Sequence, residues 1–187
     1  MVGYVGVGSN LGRRRLWLRE AVGGLERAGL APLALSSVWE TEPVGVRHSR
    51  WFLNMVLAVP LDRGPLAALE GLLEIERGAG RTREVPQGPR TLDLDLLLWG
   101  DARWLDDRLE LPHPRMWQRR FVLEPLREIA PGLRNPASGR TVAEECRRLR
   151  GDAIVRAAGP LDLAGIIRPS TRTSRSAARH EVQIDRR

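Results

Sequence analysis

The run from Gly88 to Trp99, Gly-Pro-Arg-Thr-Leu-Asp-Leu-Asp-Leu-Leu-Leu-Trp, constrains the fold more than any other stretch. A Gly-Pro turn delivers Arg90, and two aspartates then alternate with leucines. Alternation is the signature of a β-strand, in which residues i and i+2 share a face. Leu92, Leu94 and Leu96 therefore point into a core, while Asp93 and Asp95 project side by side from the other face. Two carboxylates this close repel, and they are tolerated when solvent or a cation lies between them. An isolated pair reads as readily as a solvent-facing edge. Oxygen-only ligands on a rigid strand otherwise suit Mg²⁺, which takes one or two carboxylates and fills its remaining positions with water and phosphate oxygens.

The rest of the chain supplies a sheet for that strand. Tyr4 to Gly8 reads as a first strand, with Ser9 or Asn10 able to cap a following helix. Leu18, Ala21, Val22 and Leu25 then recur at helical spacing as far as Gly29. Residues 33–41 read as a second strand ended by Pro43, and residues 52–59 as a third. Pro65 opens a helix to Arg77 with Leu66, Leu69, Leu72, Leu73 and Ile75 as its apolar stripe. The aspartate strand follows. This β-α-β-β-α-β order predicts an α+β, ferredoxin-like split β-α-β sandwich, an antiparallel sheet with helices packed on it. A possible edge strand over 104–111 and helices over 119–129 and 141–149 complete it. Residues 44–50 and 78–89 read as mobile loops.

At 187 residues the chain fits one domain, placed here at 1–160, with a basic and poorly ordered tail over 161–187. No apolar run nears the roughly 18 residues a membrane helix needs. No signal peptide is indicated, and one cysteine, Cys146, makes no internal disulfide; a cytoplasmic protein is expected. The net charge of +7 is uneven: residues 168–187 carry six Arg against two acids, and residues 1–167 carry 24 Arg against 21 acids. A nearly balanced body argues against nucleic-acid binding except through the tail, and the strands lack the exposed aromatics that stack bases. All 30 basic residues are Arg, which excludes a Walker A lysine and a Schiff base. Phosphate chemistry here must use arginine forks and metal.

Arg81, Arg83 and Arg90 lie on or beside one Gly- and Arg-rich loop, and guanidiniums match phosphate oxygens bidentately. His113 sits in a proline-braced turn, Pro112-His113-Pro114. Arg119 and Arg120 begin a helix, whose N–H groups also favour anions. The two phenylalanines, Phe52 and Phe121, could serve as apolar plates for a flat heteroaromatic ring or simply as core. Asn54 shares a strand face with Phe52 and offers both a donor and an acceptor to a ring edge.

These stretches together resemble the 6-hydroxymethyl-7,8-dihydropterin pyrophosphokinase family. The resemblance rests on Gly8-Ser9-Asn10-Leu11-Gly12, Ser37 to Pro43, Phe52-Leu53-Asn54, Ile75-Glu76 with Gly80-Arg81, Gly88 to Leu98, and Leu111 to Leu126. It implies transfer of the β,γ-diphosphate of ATP to the pterin's hydroxymethyl oxygen, releasing AMP, in folate biosynthesis. It also implies two Mg²⁺ ions on Asp93 and Asp95, with Arg81 and Arg90 on the phosphates. Glu76, Arg83, His113 and Arg119 fall on the ATP side, and Thr41, Glu42, Val44, Phe52, Asn54 and Phe121 around the pterin. The expected partners are these small molecules, with no membrane and nucleic acid at most through the tail; the expected state is a monomer. One departure is Gln87, where the family usually has an aromatic residue.

Overall fold

The computed structural model describes residues 1–42, 50–80, 90–149 and 155–164. In chain order the elements are β1 (Val2–Ser9), α1 (Arg14–Arg27), β2 (Ala34–Leu35), β3 (Val38–Thr41), β4 (Phe52–Pro60) and α2 (Pro65–Gly78). Then come β5 (Asp93–Trp99), β6 (Trp104–Leu105), β7 (Glu110–Leu111), α3 (Arg120–Ile129), α4 (Val142–Arg148) and β8 (Val155–Gly159). The main sheet runs β5-β1-β4-β3-β8, every pairing antiparallel, with β2 also on β4. Its first four strands have the order of a ferredoxin-like sheet, as the element order predicted. The strand β8 is an addition at the far edge that the sequence did not suggest.

Both faces of the sheet are covered. On one, Val5, Val7, Leu94 and Leu96 meet Leu18, Val22 and Leu25 of α1 and Leu72 of α2, all buried. On the other, Val56, Ala58, Leu97 and Leu98 meet Val122, Leu123 and Leu126 of α3. The predicted alternation holds through Leu97 and breaks at Leu98. There the pairing with β1 slips between Tyr4 and Val5, so that Leu97 and Leu98 both join the second cluster.

Four local expectations are corrected. The helix α1 begins at Arg14 with Arg13 in the cap position and no capping side chain, so neither Ser9 nor Asn10 caps it. The strand expected over 33–41 is two strands, because Ser36 interrupts the ladder: its hydroxyl accepts from Val56 N–H at 3.0 Å and donates to the Ser37 carbonyl at 2.8 Å. Residues 104–111 form a β6–β7 hairpin rather than one strand. The buried residues of α2 are Ala68, Leu72 and Glu76, with Leu66, Leu69 and Ile75 only partly covered. The helix α4 carries a full capping box, Thr141 with Glu144. The expected loops lie mainly outside the described residues, as do tail residues 165–187; residues 161–164 run as coil beside α1, where Arg19 donates to the Ala164 carbonyl at 2.7 Å.

Candidate active site

Register places the functional side chains on one sheet face, the one that α3 covers. Gly6 lies opposite Asp95, and Gly8 lies between Asp93 on β5 and Asn54 on β4. Trp39 is opposite Asn54, and Thr41 is opposite Phe52. Two glycines thus make a bare strip of β1 between the carboxylates and the amide. A Cβ on Gly8 would lie 2.9 Å from Asn54 Oδ1, so the strip has no room for a side chain there. The sequence reading missed this floor; the Gly-x-Gly repeat in β1 is the signal that could have found it.

Asn54 is buried and fixed: its amide donates to the Thr41 hydroxyl at 2.7 Å, and Thr41 is buried as well. Phe52 is half-buried at the start of β4, and Phe121 packs at the head of α3 against the second cluster. Glu42 follows β3, half-buried. Val44 lies outside the described residues.

Around the aspartates the charges interlock. Arg90 pairs with Asp93, and Arg119 Nη1 lies 3.8 Å from Asp95 Oδ2. The Arg119 guanidinium also lies 5.4 Å from the Phe121 ring centroid, so one arginine touches both halves of the site. Burial, and then the charge of Asp93, raise the Asp95 carboxyl above its ordinary pKa, while His113, Arg119 and Arg90 oppose the shift. Two crowded carboxylates, with the Asp95 carboxyl raised in pKa, are a donor set in want of a cation. Among the described residues no cluster of three or more His, Cys, Asp or Glu forms, so substrate oxygens and water would have to complete a metal's shell.

His113 reaches this edge because its N–H donates to the Leu97 carbonyl at 2.9 Å, after a cis Leu111–Pro112 bond. Its Nδ1 accepts from Arg115 N–H at 3.2 Å, which leaves Nε2 as the protonated nitrogen of the neutral ring. Burial lowers its pKa; Asp95 pulls it up, and Arg119 and Arg115 push it down.

Glu76 is placed differently from the nucleotide-side position expected of it. It is buried within α2, and its Oε1 accepts the Leu94 N–H at 2.7 Å, between the two aspartates. Among the described residues β5 is an edge of the sheet, so this N–H has no strand there to pair with, and the carboxylate takes that place. Glu76 therefore holds the aspartate strand from behind. Asn10, read from sequence as a helix cap, is buried beside Arg90 and bonded to its backbone. Arg81, Arg83 and Gln87 lie outside the described residues.

The family model for 7,8-dihydro-6-hydroxymethylpterin-pyrophosphokinase (HPPK) matches residues 4–131. The chain is 41% identical over 145 residues to a 2-amino-4-hydroxy-6-hydroxymethyldihydropteridine pyrophosphokinase of Bacillus subtilis (strain 168), covering 77% of this chain and 87% of that one. It is 40% identical over 154 residues to the protein of that name from Methylorubrum extorquens, covering 82% and 96%. In fold it is similar to wild-type Plasmodium falciparum HPPK-DHPS with pterin and p-hydroxybenzoate, with a TM-score of 0.62 at 16% identity. That match spans 79% of this chain and 42% of the longer one. The chain belongs to the 7,8-dihydro-6-hydroxymethylpterin-pyrophosphokinase family.

Proposed function

We infer that the chain transfers the β,γ-diphosphate of ATP to the hydroxymethyl group of 6-hydroxymethyl-7,8-dihydropterin, releasing AMP, as a step of folate biosynthesis. Family membership supports the reaction. The observation that carries its placement is the position of Gly8 between Asp93 and Asn54. Strands in a sheet lie about 4.8 Å apart, so a ring read by Asn54 has its substituent within about 10 Å of the carboxylates. The floor between them is glycine.

In this reading Phe52 and Phe121 hold the pterin faces, and Asn54, fixed by Thr41, reads its edge; Glu42 and Val44 line the pocket. Asp93 and Asp95 would hold Mg²⁺, two ions with ATP present, and that charge would favour the phosphates and a lower pKa for the attacking hydroxyl. The hydroxymethyl oxygen attacks the β-phosphorus, the bond from that phosphorus to the α-phosphate's bridging oxygen breaks, and the hydroxyl proton leaves to solvent. Arg119 and Arg90, with Arg81 and Arg83 as the family resemblance places them, carry charge to the phosphates. His113 serves as a neutral Nε2–H donor on the ATP side. Glu76 acts behind the strand rather than on the nucleotide. The protein acts as a cytoplasmic monomer.

The test is AMP release from ATP and Mg²⁺ with and without the pterin. Pterin-dependent AMP with no ADP supports the reaction; ADP, or AMP that ignores the pterin, refutes it.

A further inference from the structure

Behind the pterin half of the site, on the opposite sheet face, two arginines converge on one carboxylate. Arg14 Nη2 donates to Glu40 Oε1 at 3.0 Å. Arg156, on β8, donates to Glu40 Oε2 through Nε at 3.1 Å and through Nη2. The same two arginines hold Trp51. Arg14 Nη1 donates to the Trp51 carbonyl at 2.7 Å, and the Arg156 guanidinium lies 4.8 Å from the Trp51 ring centroid. The hydrogen bond from Arg156, first among its causes, holds the Glu40 carboxyl below its ordinary pKa.

The placement gives this cluster its meaning. Glu40 precedes Thr41, and Trp51 precedes Phe52, and Thr41 and Phe52 are the last paired residues of the β3–β4 ladder. Beyond them no further pair closes the ladder among the described residues, so the orientation of Phe52 and of Thr41 depends on what fixes their neighbours. The fixing comes from β8, which pairs Thr41 with Val155 and Glu40 with Arg156. Arg15 secures the strand's exit from the other side, donating to the Ala158 and Pro160 carbonyls. Arg156 lies beyond residues 4–131, the part of the chain that the family model matches.

We propose that Arg156 is a positioning residue for the pterin pocket: by clamping Glu40 and Trp51 it fixes the Thr41–Phe52 end of the sheet, and with it the ring plate Phe52 and the amide Asn54 that Thr41 holds. The proposal rests on the pterin-side assignment made above. It also predicts a division of labour, because among the described residues the clamp touches no group on the Asp93–Asp95 side. Its loss should weaken the pterin and spare ATP. An ion pair with Arg156 63% exposed contributes little to global stability, so the effect on the pocket can be separated from unfolding.

The experiment measures pterin KM, ATP KM and Tm for the full chain and for Arg156→Ala, Arg156→Lys and Glu40→Gln. Arg156→Ala should raise pterin KM about three- to tenfold, with ATP KM and Tm nearly unchanged. Lysine keeps the charge over Trp51 but not the two-donor fork, so it should recover part of the loss. Glu40→Gln added to Arg156→Ala should do little more than either alone. An unchanged pterin KM in Arg156→Ala overturns the proposal, as does a rise of both KM values together with a fall in Tm. Asn54→Ala in the same assay separates the two readings. If it raises pterin KM while Arg156→Ala does not, only the clamp fails; if neither does, the pterin-side assignment fails as well.

Discussion

Asn10 and Arg90 exchange two hydrogen bonds: Asn10 N–H donates to the Arg90 carbonyl at 3.1 Å, and Arg90 N–H donates to Asn10 Oδ1 at 2.7 Å. The residues are 80 apart in sequence, and the bonds weld the exit of β1 to the entry of β5. Arg90 in turn pairs with Asp93, so the position of a proposed metal ligand is traced back to an amide at the end of another strand.

Asn10→Ala keeps the first bond and loses the second. It leaves a half-buried N–H without its acceptor, at a cost of about 1–2 kcal/mol. Because small displacements of reacting groups are costly, kcat should fall roughly 10- to 100-fold. Urea melts and steady-state kinetics on one preparation check both figures. A loss of stability with normal kcat would mean that Arg90 holds its place without Asn10.

Glu76 offers a second test of support from behind. Gln can still present an oxygen to the Leu94 N–H, so Glu76→Gln should stay close to the parent in stability. Glu76→Ala leaves a buried donor unmet on an edge strand and should cost about 2–4 kcal/mol, cavity included. ATP binding by the folded fraction should change little. Selective loss of ATP affinity in Glu76→Gln would return this residue to the nucleotide side.

The element order and the facing aspartates were legible because they are local: period-two alternation in 92–96 and apolar helical spacing in α1 survive in any context. What was not legible depends on partners distant in sequence. Asn10 matches a cap pattern, and only the late start of α1 at Arg14 shows that it serves something else. A glutamate in a helix reads as surface, and nothing in the stripe around Glu76 says that an edge strand needs its carboxylate. Val155 to Gly159, Val-Arg-Ala-Ala-Gly, lacks alternation and β-branched weight, yet it becomes a strand because β3 presents an unpaired edge. Thr41, Phe52, Asn54, Asp93, Asp95, His113, Arg119 and Phe121 were proposed for the site by motif; the glycine floor between them was not, since a missing side chain leaves little to read.

That floor gives a third prediction. Gly8→Ala would put a methyl 2.9 Å from Asn54 Oδ1, and Asn54 cannot swing away without breaking its bond to Thr41. Overpacking of this kind costs about 1–3 kcal/mol. Pterin KM should rise several-fold while ATP KM holds, because the methyl meets Asn54 first and the Asp93 Cβ only at 3.8 Å. Equal rises in both KM values would mean that the strip is not a substrate floor.

Asp95 ties stability, pH and metal together. Its folded-state pKa is raised above 3.8 by burial and by Asp93, so the metal-free protein binds this proton more tightly than the unfolded chain does. The sign follows from linkage: the stabilising contribution is complete below the unfolded value and is lost as pH rises through the raised folded value. At neutral pH the metal-free protein therefore carries an unfavourable charge at Asp95, and a bound cation relieves it. Asp95→Asn should abolish turnover yet raise the Tm of the metal-free protein, and it should flatten the stability change above pH 4 that this group causes. Mg²⁺ with ATP should raise the Tm of the parent and not of the variant. Thermal melts from pH 4 to 8, with and without Mg²⁺-ATP, measure the three stability outcomes and AMP release the turnover, and a variant that melts lower without metal would show that Asp95 is held by its arginine rather than strained by its neighbour.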